Sequence, residues 1–79
     1  IMYQLFVHGF TNENYVIDFD HENENDFNET KIIDLKNKII KQKGLDIQPE
    51  HLRFIFANKQ LEDDKTFGFY KIKHRSIIM

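Results

Sequence analysis

From Tyr3 the apolar residues fall at Tyr3, Leu5 and Val7, with Gln4, Phe6 and His8 between them. This is the two-residue period of a strand with one buried face, and it turns Phe6 outward. After Gly9 the stretch Phe10-Thr11-Asn12-Glu13-Asn14 is polar and turn-rich, and Tyr15, Ile17 and Phe19 resume the alternation. The two runs therefore predict a β-hairpin. Asp20 to Glu29 is acidic and Asn-rich, broken only by Phe27. It offers too little apolar surface to offset the entropy of ordering it, which predicts a mobile surface loop.

The period then changes. Thr30 is placed to cap a helix in which Ile32, Leu35 and Ile39 follow the i, i+3, i+7 rule and Ile33 and Ile40 widen the stripe. Lys36, Lys38, Lys41 and Lys43 are assigned to its outer face and final turn, where positive charge is favourable, and Gly44 to its C-terminal cap. Beyond Pro49, the alternation of Leu52, Phe54 and Phe56 predicts a strand with Ile55 facing away from the core. Asn58 supplies a turn, a short strand follows around Gln60 and Leu61, and Phe67, Tyr70 and Ile72 are expected core residues. Ser76 to Met79 begins a last strand. Together these elements predict an α+β fold, with one main helix packed across one face of a mixed sheet.

The chain has 79 residues, 41% hydrophobic and 14% aromatic. That length supports one domain, residues 1–79, with one core burying about 60 to 65% of the unfolded surface. Cysteine is absent, so packing must hold the fold, which fits an intracellular (cytoplasmic or nuclear) location. No apolar run approaches the roughly 20 residues of a membrane helix, and Ile1 to Phe10 lacks the regions of a signal peptide. The net charge of -2 argues against attraction to nucleic acid or an anionic membrane. Met2 is expected to be the natural first residue.

The segment Arg53-Phe54-Ile55-Phe56-Ala57-Asn58-Lys59-Gln60-Leu61-Glu62-Asp63-Asp64-Lys65-Thr66 resembles ubiquitin and its ubiquitin-like relatives. Lys31-Ile32-Ile33-Asp34-Leu35-Lys36-Asn37-Lys38-Ile39 and Met2-Tyr3-Gln4-Leu5-Phe6-Val7 resemble the same family in the same order. The resemblance covers nearly the whole chain and implies a β-grasp fold. Three features depart from the family pattern: the long Asp20 to Glu29 segment, a small insertion around Leu45-Asp46-Ile47, and the lack of a diglycine tail after Met79. Without that tail the polypeptide as it stands is not expected to be conjugated to substrates.

The resemblance also implies a recognition surface on the exposed side of the sheet, at Phe10, Ile55 and Met79. A β-branched residue and a thioether beside an aromatic make an apolar centre for a small transient interface. His8, Arg53, Asn58, Lys59 and His74 are the expected polar rim, and a partner helix with anchors at i, i+3 and i+4 would lie across it. The bland alternative is that these are singly exposed apolar residues of the kind every surface carries. Lys59, Lys36 and Lys38 match family lysines, whereas His74 stands where another linkage lysine would be, which counts against a chain-forming ubiquitin.

Catalysis has little support. His8, His21, His51 and His74 are spread over separate elements, and no Ser stands with a His and an acid in a nucleophile motif. The run Asp20 to Asp26 lacks the spacing and glycine of a calcium loop, so neither metal nor other cofactor is expected. The expected function is a non-catalytic, monomeric interaction domain of a larger protein, an adaptor in the ubiquitin and proteasome pathway. The resemblance implies partners among proteasomal receptors, ubiquitin-interacting helices and ubiquitin-binding domains. The alternatives are a conjugated modifier whose diglycine tail lies beyond Met79, and a mainly structural or self-interaction domain, which sedimentation at rising concentration would reveal.

Overall fold

The computed structural model describes residues 1–9 and 13–79. Strands β1 (Met2–His8) and β2 (Asn14–Asp20) pair antiparallel, with Leu5 opposite Ile17 and Tyr3 opposite Phe19. The alternation works as its period requires: Leu5, Val7, Ile17 and Phe19 are buried, and the residues between them face the other side. The last strand, β5 (Ile77–Ile78), adds to β1 in parallel, Phe6 opposite Ile77 and Val7 opposite Ile78. Strand β3 (Ile55–Phe56) joins the other side of β5 through two backbone bonds: Ile55 N–H donates to Met79 O at 3.1 Å, and Met79 N–H to Ile55 O at 3.0 Å. Strand β4 (Lys59–Gln60) returns antiparallel to β3. The two-residue turn between them places both Ala57 (φ 52°) and Asn58 (φ 64°) in the left-handed region, the twist that suits a tight hairpin.

Helix α2 (Ile32–Lys43) lies against the inner face of this mixed sheet and buries Ile32, Leu35, Lys36 and Ile39. Its first free N–H groups are satisfied by the loop after β4, Ile32 N–H donating to Lys65 O at 2.9 Å and Ile33 N–H to Asp63 O at 3.0 Å. Gly44 (φ 61°) ends the helix in a left-handed turn in which Leu45 N–H reaches back to Ile40 O at 3.0 Å. Gly44→Ala should cost about 1 kcal/mol in urea unfolding: there is open space for a methyl, and only the backbone conformation resists it.

Several expectations are corrected. Asp20 to Glu29 is not a loop throughout, because Glu24–Asn28 forms a short helix, α1, whose N-cap Asn23 accepts a bond from Asp26 N–H at 2.9 Å. Its one buried residue, Phe27, is 1% exposed; it stacks on Tyr3 and meets a tilted Phe67 ring, each ring centre 5.0 Å away. Thr30 does not cap α2. The first residue outside that helix is Lys31, whose N–H donates to the Asp34 carboxylate, while the Thr30 hydroxyl donates to Asp26 O and meets His21 Nε2 at 3.0 Å. Lys36 is not on the outer face either. It is 5% exposed, and its Nζ lies 2.6 Å from Asp63 Oδ1.

The core is one cluster built from both ends of the chain, including Leu52, Phe54, Leu61, Phe67, Tyr70, Ile72 and Ile78. Phe56, expected inside, is only partly buried against it. Among the described residues no helix is long and apolar enough to cross a membrane.

Candidate protein-binding surface

Strand β3 is flanked by the buried Phe54, so Ile55 must point to the opposite side, where it is 48% exposed. The same logic on β5, with Ile78 fully buried, puts Met79 outward at 58% exposed. The reciprocal backbone bonds between Ile55 and Met79 make them cross-strand neighbours, so the two apolar side chains stand side by side on the outer face. Phe10, the third apolar position expected here, lies outside the described residues.

The expected rim divides. Arg53 is exposed two residues before Ile55 on the same side, and Asn58 and Lys59 are exposed at the adjoining hairpin. His8, at the end of β1, is half-buried, its Nδ1 2.8 Å from Asn14 Oδ1. His74 is elsewhere: its Nδ1 accepts the Gln4 N–H at 3.0 Å and its ring stands edge-on to Tyr3. Four residues of strand separate Gln4 from His8, about 13 Å, so His74 is not part of the rim around Ile55.

A groove of about 430 Å³ opens beside Met79 but not Ile55, lined also by His8, Arg53, Leu45, Ile47 and Tyr15 and by core residues such as Ile39 and Phe54. The Tyr15 hydroxyl is held above its usual pKa, first by its hydrogen bond to the Glu13 side chain, then by burial and by the negative charge of that side chain. Leu45 and Ile47 come from the small insertion after α2, a contribution that their spacing in the sequence does not reveal. Among the described residues no three His, Asp or Glu side chains gather as metal ligands.

The arrangement is a shallow apolar centre bordered by Arg53 and Lys59, suited to holding a protein surface. Comparison with known families matches the ubiquitin family over residues 5–79. That span takes in β1 from Leu5 onward, α2, the β3–β4 hairpin and β5, and so includes the strands that build this surface. The chain belongs to the ubiquitin family and is a ubiquitin-like β-grasp domain.

Proposed function

We propose that the chain is a non-catalytic interaction domain of a larger protein, an intracellular adaptor that docks to ubiquitin receptors or the proteasome through the outer face of its sheet. The observation that carries this reading is the exposure of Ile55 (48%) beside Met79 (58%), on strands whose neighbouring residues, Phe54 and Ile78, are buried. The backbone bonds hold the two positions in fixed register, so the cost of ordering the strands that carry them has already been met in folding. Arg53 and Lys59 at the border favour a partner helix with apolar anchors flanked by acidic residues. Small area makes such binding weak and readily reversible.

Ile55→Ala should weaken binding to a synthetic ubiquitin-interacting helix about tenfold, the equivalent of roughly 1–2 kcal/mol. Because Ile55 is on the wet side, the far-ultraviolet circular dichroism and melting temperature should hardly change. The titration is best followed by amide NMR. If resonances around Ile55 and Met79 stay still while the helix is added in excess, the docking role is lost. The conjugated-modifier alternative makes a separate demand, a glycine pair encoded shortly after Met79.

A further inference from the structure

The outer face of the sheet carries a second apolar row, away from Ile55. Val16 on β2, Phe6 on β1 and Ile77 on β5 stand opposite one another in register. Val16 is 45% and Ile77 60% exposed, and Phe6 is half-buried. Their sequence neighbours Ile17, Leu5, Val7 and Ile78 fill the core, so these three cannot turn inward.

Two residues along β1, the same face becomes charged. Asp18 stands opposite Gln4, whose Nε2 donates to Asp18 Oδ1 at 3.1 Å. On the other side of Gln4, Arg75 donates its backbone N–H to Gln4 O, and its guanidinium lies 5.8 Å from the centre of the Phe6 ring. With β1 as the midline, an acid therefore lies on the β2 side and a base on the β5 side, next to a row that is apolar from edge to edge.

We propose that this face pairs with a second copy of the chain about a two-fold axis running along β1. Such a rotation keeps each position along the strand and exchanges left with right. Phe6 then meets Phe6, Val16 of each copy meets Ile77 of the other, and Asp18 of each meets Arg75 of the other. An uncovered apolar row marks a contact surface in general. It is the charge pattern that selects the occupant, because an acid and a base placed on opposite sides of a midline are self-complementary under a two-fold. The monomer expected from the sequence is, on this reading, the dilute form. Ile55 lies on β3, one strand beyond β5, and would project past the β2 edge of the second copy, so pairing and receptor docking use different side chains.

Sedimentation velocity of the chain from low micromolar to millimolar concentration tests the proposal. The sedimentation coefficient should rise from monomer to dimer, and Ile77→Asp should abolish the rise. Val16→Lys, on the opposite edge strand, should do the same and stands in if Ile77→Asp disturbs β5. Asp18→Arg and Arg75→Asp should each weaken pairing about tenfold, and the two together should restore it. Ile55→Ala should leave it unchanged. A monomer at every concentration, pairing that survives both Ile77→Asp and Val16→Lys, or failure of the double charge exchange to rescue would each overturn the proposal. A loss with Ile55→Ala as large as with Ile77→Asp would move the interface to β3 and exclude an axis along β1. None of these outcomes depends on whether the helix peptide binds at Ile55.

Discussion

Phe27→Ala is expected to lower the free energy of unfolding by about 3–5 kcal/mol, the cost of emptying a fully enclosed aromatic site. Phe27 is 1% exposed, and its ring touches an aromatic cluster in which Tyr3 and Phe67 lie 5.0 Å away and Phe19 6.3 Å away, centre to centre. Collapse cannot easily fill the gap. Gly68 N–H donates to Asn28 O at 2.8 Å, and a Cβ on Gly68 would meet Asn28 atoms at 3.2 Å, so α1 is already clamped against the loop carrying Phe67. In a domain of this size each kcal/mol moves the midpoint of thermal unfolding by about 4–8 °C, so a fall of more than about 12 °C should accompany the change. Phe69→Ala is the control. Its ring is 62% exposed, and its loss should stay within about 0.5 kcal/mol. Equal, small effects from the two substitutions would mean that α1 is not part of the cooperative unit.

The second large effect concerns the ion pair beneath α2. Lys36 is 6% exposed at its side chain and Asp63 41%, so the ammonium depends on its partner more than the carboxylate does. Asp63 Oδ1 makes no well-aligned hydrogen bond, which leaves the 2.6 Å contact with Nζ as its compensation. Asp63→Ala strands the cation near the Phe54 ring, 5.9 Å away. Breaking a fully buried pair costs about 3–5 kcal/mol. Because water reaches the Asp63 side, the expected loss is smaller, about 1–3 kcal/mol. Lys36→Met should behave differently. Methionine fills the space of the stem and removes the charge, and Asp63 turns to solvent, so stability should change by less than about 1 kcal/mol. Urea unfolding of the two variants side by side checks this. Similar losses from both would make packing of the stem, not charge, the source of stabilisation.

Much of this architecture is legible in the chain, and the misses have physical causes. Alternation over Tyr3 to Val7 and Tyr15 to Phe19 is unambiguous because one face is dry and the other wet. Gly44 announces its turn because few other residues adopt φ 61° without strain. Ile55 is found outside for the same reason that Phe54 is inside. The α1 helix is hidden because composition averaged over ten residues dilutes the single Phe27. A local signal was there, in Asn23 followed by Glu24 and Asp26 at an N-terminus. Lys36 misleads through its charge, although Ile32, Leu35, Lys36 and Ile39 complete the i, i+3, i+4, i+7 stripe and place it inside. The position of His74 follows from the path between Tyr70 and Ile77, where Lys71 and Arg75 both adopt positive φ. No periodicity encodes such a path. The row of Val16, Phe6 and Ile77 is invisible for another reason. It exists only once β1 and β5 are paired, and the pattern within one strand does not name its neighbour.

That pairing also governs when the molecule can assemble. The middle of the sheet joins Phe6 and Val7 to Ile77 and Ile78, residues about seventy positions apart. During synthesis the β1–β2 hairpin leaves the ribosome early, yet the second edge of β1 has no partner until Ile77 and Ile78 emerge. Loops of this length close slowly. Nascent chains should therefore pass through a stage in which hairpin and helix are present while Leu5, Val7 and Phe54 remain wet, a window in which a chaperone or a premature neighbour can bind.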